Sequence, residues 1–190
     1  MSKHLDLGCG DKPRNPYSCD ELFGIDQSNW FVGAEVRACK LGLEPFPFPS
    51  DYFDSVSAYD LLEHIPRQSI DHVNNTIHFP FIDVMQEVWR VLKPDGKFFA
   101  LTPAYPGRQV FQDPTHVNFI TKDTHSYFCG HEPHAARYGF KGRFDSAQVR
   151  AVLPEEMYGD VSLKLRWRRF RHEYFKGGLS HLTWELVAKK

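Results

Sequence analysis

Long apolar runs are missing from this chain of 190 residues. No stretch approaches the ~20 residues that span a bilayer, so membrane insertion is not expected. Cysteine is sparse: Cys9, Cys19, Cys39 and Cys129 include no Cys-x-x-Cys pair and no framework spacing, which excludes a legible disulfide scaffold and points to a reducing compartment. No excess of one charge is present either. A formal net charge of −1 gives no global reason to expect nucleic acid or an anionic membrane as partner. Leader-like segments, internal repeats and low-complexity linkers are also lacking. What is there is 42% hydrophobic residues, 15% of the chain aromatic, at a length that supports one hydrophobic core. The expectation is a single domain over residues 1–190, cytoplasmic, of undetermined oligomeric state.

The chain is organised around His4-Leu5-Asp6-Leu7-Gly8-Cys9-Gly10-Asp11. A short apolar run ends in two glycines spaced two apart, the pattern of a buried strand whose following turn lets backbone N–H groups approach a ligand. Pro13 occupies the place of the third glycine of a dinucleotide fingerprint, and Asp6 would repel a pyrophosphate, so the pattern suits a ligand with an ammonium or sulfonium charge. Pro13 and Pro16 oppose a helix after this turn, and too few residues precede Phe23 to hold one of ordinary length. Glu21 to Asp26 reads as the second strand, with Asp26 placed to accept hydrogen bonds from ribose hydroxyls. Glu35 to Lys40 reads as a short third strand. Leu43 to Pro49, with three prolines, reads as a stiff aromatic loop, either over the ligand or packed on the sheet edge.

Asp51 to Ile65 supplies the next strand, with Phe53, Val56 and Ala58 as its bulk and Tyr59 and Asp60 at its carboxyl end, where ligands bind in doubly wound sheets. Glu63 reads as a helix-start residue, and His64 is open to a catalytic role. Residues 66–80 form a polar excursion, followed by a helix with Phe81, Met85, Val88 and Leu92 on one face, a break at Lys93-Pro94-Asp95-Gly96, and a fifth strand over Lys97 to Thr102. Residues 103–145 form a second excursion on the substrate side. Within it Pro114 stiffens a loop carrying Asp113 and His116, a candidate Asp–His general base; a loop clasp is the alternative. Cys129, His131, His134 and His125 do not follow a familiar zinc spacing, and no metal is assigned. Alternation over Val161 to Arg169 and over His181 to Ala188, with Gly177-Gly178 between, reads as an antiparallel hairpin. The basic run from Lys164 to Arg171 reads as a solvated edge, with nucleic-acid binding the less favoured alternative.

Asp6-x-Gly8-x-Gly10 after a first strand resembles motif I of class I S-adenosylmethionine-dependent methyltransferases. The run from Asp51 through Leu62-Glu63-His64-Ile65, and Glu87-Val-Trp-Arg-Val-Leu-Lys-Pro-Asp-Gly-Lys-Phe-Phe-Ala-Leu-Thr-Pro103, are similar to further blocks of that superfamily. The ordered series looks most like small bacterial methyltransferases of glycan or secondary metabolism. The resemblance implies an α/β, Rossmann-like, doubly wound and mostly parallel sheet closed by an antiparallel hairpin. It implies S-adenosyl-L-methionine as cofactor, held around Asp6, Gly8, Cys9, Gly10, Asp26, Gln27, Cys39, Tyr59 and Asp60. Cys39 departs from the pattern, which often has an acid there for the adenine amino group; a backbone contact would survive the change. The implied reaction is methyl transfer to a small-molecule or glycan-type acceptor, at oxygen, with His116, Asp113 and His64 as catalytic candidates. The alternatives are a nucleic-acid methyltransferase and a non-catalytic cofactor-binding module.

Overall fold

The computed structural model describes residues 1–28, 36–158, 162–176 and 178–190. Its main sheet has seven strands in the order β3-β2-β1-β4-β7-β9-β8. These are β1 (Lys3–Leu7), β2 (Glu21–Asp26), β3 (Val36–Ala38), β4 (Phe53–Tyr59), β7 (Leu92–Pro103), β8 (Phe144–Val152) and β9 (His181–Ala188). β5 (Ser69–Asp71) and β6 (Thr76–His78) pair as a separate ribbon inside the 66–80 excursion. The first five strands of the sheet pair in parallel, and β9 runs antiparallel to both β7 and β8. β1 has β2 on one side and β4 on the other, so the direction of winding reverses at its carboxyl end. A crevice opens outside the sheet at such a point.

Both faces of the central strands are covered: Leu5, Leu7, Val56 and Ala58 are fully buried, and so are the alternating His4, Asp6 and Ser57. Helix α1 (Pro80–Val91) starts with proline, whose missing N–H is tolerated there, and packs Val84, Met85, Val88 and Val91 against the sheet. Trp184, Phe53, Phe98, Phe128 and Phe144 are the bulkiest members of the core. No helix follows β1. Instead Asn15 closes the turn, its side chain bonding both the amide and the carbonyl of Cys19. The proline-rich loop lies on the sheet edge, with Phe46 and Phe48 buried and Arg90 bonding their carbonyls.

Three details differ from the sequence expectations. The span Val161 to Arg169 is not a strand: helix α4 covers Leu163–Phe175, and Val161 lies outside the described residues. Ser162 caps that helix by accepting from the Leu165 amide, and Leu163 and Trp167 are exposed, so their alternation never served a buried sheet face. The antiparallel partner of β9 is therefore β8, a strand the alternation rule misses because its middle is exposed and a register shift falls between Ser146 and Gln148. Of the expected turn glycines, Gly177 lies outside the described residues, as does Glu35 of the expected third strand. β7 begins at once after α1, pairing Leu92 with Phe53 before the register shifts around the expected break.

β1 and β4 also bury a polar chain. His4 Nδ1 lies 2.7 Å from Ser55 Oγ, His4 Nε2 2.9 Å from Ser57 Oγ, and Ser57 donates to Asp6 Oδ1 at 2.6 Å. Burial pulls the His4 imidazole from 6.5 down to about 4. The unfolded chain therefore binds the proton first on acidification, and the His4 contribution to stability is lost as pH falls from 6.5 towards 4. The neighbouring Asp6 carboxyl, pushed up from 3.8 to about 6 by its own burial, acts in the opposite sense. Comparison with His4→Gln isolates the histidine. The stability advantage of wild type over that variant is expected to shrink by up to about 3 kcal/mol across this window. Chemical denaturation at several pH values checks it; a constant difference contradicts it.

Candidate active site

Gly8 (φ +60°) and Gly10 (φ +57°) turn the chain out of β1 in the left-handed region that favours glycine. Their roles differ. A Cβ on Gly8 would stand 2.9 Å from Leu61 Cδ1, whereas a Cβ on Gly10 would meet nothing within 4 Å and would project into open space. The turn is pinned to β2 by the Gly8 and Cys9 amides, which both donate to the Ile25 carbonyl, and by the Gly10 amide, which donates to Asp26 Oδ2 at 3.1 Å. Asp26 Oδ1 accepts from the Ser28 amide and hydroxyl. Around this turn lies a groove of about 570 Å³, walled by Arg14, Tyr59, Asp60, Met157 and Tyr158. The Arg14 guanidinium sits 4.8 Å from the Tyr59 ring and 5.4 Å from that of Tyr158, and the Tyr158 hydroxyl donates to Asp60.

Asp60 also lines a second cleft, of about 530 Å³, with Glu63, His64, Gln109, Gln112, Asp113, His116 and His181. It is built by the turn Leu62–His64 after β4, by α2 (Gln109–Gln112) with the loop that follows it, and by His181 at the start of β9. The Val117 and Asn118 amides donate to the Glu63 carbonyl, and the buried Asn118 side chain bonds the carbonyls of Leu62 and Ile65, so the turn and the loop are clamped together. Glu63 is 1% exposed, and Thr102 donates to its Oε2 at 3.1 Å. Burial pushes its carboxyl up to about 8. The His64 and His116 rings meet edge to face with centroids 4.7 Å apart. His181, held by Ser180, places Nε2 3.7 Å from Asp60 Oδ1, and burial lowers its pKa.

A family model described as a methyltransferase domain matches residues 5–100, half of the sequence. The chain belongs to that family. No curated protein matches the sequence. Among solved structures, a SAM-dependent methyltransferase from Archaeoglobus fulgidus is similar at 16% identity and a TM-score of 0.59, with 100% of this chain and 86% of that chain covered. A Mesorhizobium loti S-adenosylmethionine-dependent methyltransferase matches at 14% identity and TM-score 0.55, covering 97% and 90%. The Haemonchus contortus phosphoethanolamine N-methyltransferase 2, in complex with S-adenosyl-L-methionine, matches at 15% identity and TM-score 0.56, covering 99% of this chain and 48% of that one.

S-adenosyl-L-methionine is the cofactor of this methyltransferase. The groove fits it: the space over Gly10 is free, Asp26, outside the groove's lining, keeps unused lone pairs next to the Gly10 amide, and Tyr59 and Met157 give an apolar wall. Not every residue expected at the cofactor faces the groove. Asp6 is fully buried, spending its carboxylate on Ser57 and the Arg14 amide, so it shapes the turn and does not meet a ligand charge. The Cys39 side chain is in the core and its amide donates to the Asp26 carbonyl, leaving only its own carbonyl for adenine. Gln27 is exposed at the end of β2. Cys9, although buried, does line the groove between the two glycines.

The expected Asp113–His116 dyad does not form in this methyltransferase. His116 Nδ1 lies 3.1 Å from the Val110 carbonyl, and Asp113 Oδ1 takes the amide and hydroxyl of Thr115. Asp113 reaches His64 instead, through the Thr115 hydroxyl, which is 2.9 Å from His64 Nδ1. Glu63 does lie in the first turn of a helix, the single 3-10 turn Leu62–His64, but its side chain turns inward to Thr102. Sequence reasoning missed Arg14, Tyr158, Asn118 and Thr115. The first two reach the groove from the loop after β1 and from α3 (Glu155–Tyr158), distant stretches that no local spacing connects.

Proposed function

We propose that this methyltransferase methylates a hydroxyl oxygen of a small-molecule or glycan-type acceptor bound in the His64–His116 cleft. One observation carries the reading: the cleft holding three imidazoles and the buried carboxyl of Glu63 adjoins the cofactor groove, with Asp60 on the wall of both. Bound S-adenosyl-L-methionine supplies a methyl group already activated by its sulfonium, so the protein's main tasks are alignment and removal of the acceptor's proton. Alignment falls to the glycine turn with Asp26 on one side and to the cleft on the other. An uncharged amine attacks through its lone pair with no prior loss of a proton, whereas a hydroxyl is a weak nucleophile until its proton is taken, and the cluster of Glu63, His64 and His116 suits that task. Gln109, Gln112 and Asp113 along the cleft suit a polyhydroxylated acceptor through hydrogen bonds. The basic stretch of α4 argues less for nucleic acid than its composition suggests, because Arg168 and Arg169 are paired with Glu155 and Glu156.

Purified protein incubated with cofactor carrying a ¹³C-methyl group and a panel of sugars, polyols, phenols, amines and short RNAs tests the proposal by NMR of the products. The expected product is an O-methyl ether of a small acceptor. An N-methyl or C-methyl product, or transfer to RNA alone, overturns it.

A further inference from the structure

We propose that Glu63, His64 and His116 form a binding site for one divalent cation of the transition series, of the Mn²⁺, Co²⁺ or Zn²⁺ type, and that this cation holds and acidifies the acceptor hydroxyl. The second half rests on the oxygen-acceptor reading above; the first half stands on geometry alone. One potential ligand atom from each of the three residues lies within 4.8 Å of the other two, the grouping of this kind found among the described residues. Cys129, His131, His134 and His125 form no such group.

The hydrogen bonds around the cluster decide which ring nitrogens are free. A carbonyl only accepts, so His116 Nδ1 must carry the proton it offers to Val110, and Nε2 keeps its lone pair. Thr115 spends its single hydroxyl proton on Asp113, so its oxygen must accept from His64 Nδ1, and His64 Nε2 is also left with a lone pair. Both imidazoles are thus locked in the tautomer that ligates through Nε2. An orienting bond from the second nitrogen to a carbonyl, or to a carboxylate through a relay, is the usual support of a metal-bound histidine.

The carboxylate supplies an independent argument. Glu63 is 1% exposed, its one side-chain donor is Thr102, and among the described residues it takes part in no ion pair. A carboxyl buried in that position either keeps its proton or gives it up to a cation seated beside it, and the second choice is open here because two imidazole nitrogens face the same space. The clamp through Asn118 fixes the turn that bears Glu63 and His64 to the loop that bears His116, so the ligands are pre-arranged by backbone and not by chance side-chain rotamers. Metal–ligand bonds of ~2.1 Å put tetrahedral ligand atoms ~3.4 Å apart, so a pair at the 4.8 Å limit closes by roughly 1.4 Å on binding. Two imidazoles with one carboxylate favour a transition-series ion over Mg²⁺ or Ca²⁺, which prefer all-oxygen sites. The open cleft on the side of Asp60 leaves coordination positions for water and for an acceptor hydroxyl.

In the reaction, ligation lowers the pKa of the acceptor hydroxyl and its proton passes to solvent water. A lone pair of that oxygen forms the C–O bond with the methyl carbon. The C–S bond breaks with its electron pair going to sulfur, which becomes the neutral thioether of S-adenosylhomocysteine.

Titration of the full chain, stripped with chelator, with Co²⁺ (followed by visible absorption) and with Mn²⁺ (followed by calorimetry) tests the site without reference to turnover. One equivalent is expected to bind. His116→Ala and Glu63→Gln should each weaken binding about 100-fold, Thr115→Val by ~10–100-fold through loss of the His64 support, and His131→Ala not at all. Glu63→Gln keeps a partner for Thr102, and circular dichroism verifies that each variant is folded. No stoichiometric binding, or binding unchanged in His116→Ala and Glu63→Gln, overturns the site. If the same O-methyl ether forms equally fast in excess chelator, the metal role is overturned while the oxygen reading stands. If the ion binds as expected and the product is methylated at nitrogen, the oxygen reading fails and the site remains.

Discussion

His116→Ala is expected to lower methyl-transfer turnover by ~10²–10⁴, the usual cost of removing a group that activates the nucleophile, while affinity for S-adenosylhomocysteine stays near wild type. The separation follows from the architecture. His116 lines the acceptor cleft and is absent from the walls of the cofactor groove. His64→Ala should behave alike, because the two rings are in contact and Glu63 serves both. Asp113→Ala acts through Thr115 on His64 and should cost less than either. Steady-state rates at saturating cofactor, with binding measured by calorimetry, check the series. Turnover retained in both histidine variants would mean that alignment alone carries the reaction and that the cleft has been misread. His131→Ala, in a different cavity beside Trp89, is the control for the substitution itself.

The second large effect is on the cofactor. Asp26→Ala should weaken S-adenosylhomocysteine binding about tenfold or more, the worth of charge-assisted hydrogen bonds of ~1.5–3 kcal/mol. Part of that loss is indirect, since Asp26 also holds the Gly10 amide and Ser28. The two glycines should differ in degree. Valine is strained at the positive φ of either, so both variants should lower the thermal midpoint, and Gly10→Val, whose side chain projects into the open groove, should also abolish measurable binding. Gly8→Val adds the contact of its Cβ with Leu61 and should lower the midpoint further. Unchanged affinity in Asp26→Ala and Gly10→Val would place the cofactor elsewhere.

The parallel half of the fold was readable in the sequence because its signals are local. A buried strand followed by a glycine turn, or an apolar face at helical spacing ending at a proline–glycine break, needs no distant partner to be recognised. The closing strands were harder. Val161 to Arg169 alternates as a strand does, yet Ser162 caps a helix there, and neither reading is decided by periodicity when the residues face solvent. β8 was hidden because Ser146, Gln148 and Arg150 expose their side chains and the strand owes its existence to pairing with β9. In the site, His64, Asp113 and His116 line one cleft, but in a pairing that their spacing did not show. The spacing of Asp113 and His116 suggested a dyad, but Thr115 stands between and takes the carboxylate for His64. Asp6 showed the same limit from the other side: an acid beside a glycine turn reads as a ligand contact, and only its burial beneath Arg14 and Ser57 shows that it holds the turn.

The account turns on the cofactor groove opening toward the histidine cleft at Asp60. A crystal structure with bound S-adenosylhomocysteine tests that directly. The account predicts the ribose beside Asp26, the ligand's backbone over Gly10, and the sulfur directed past Asp60 toward His64 and His116. A sulfur directed away from that cleft, or a ligand seated in the cavity of Trp89 and His131, would contradict it.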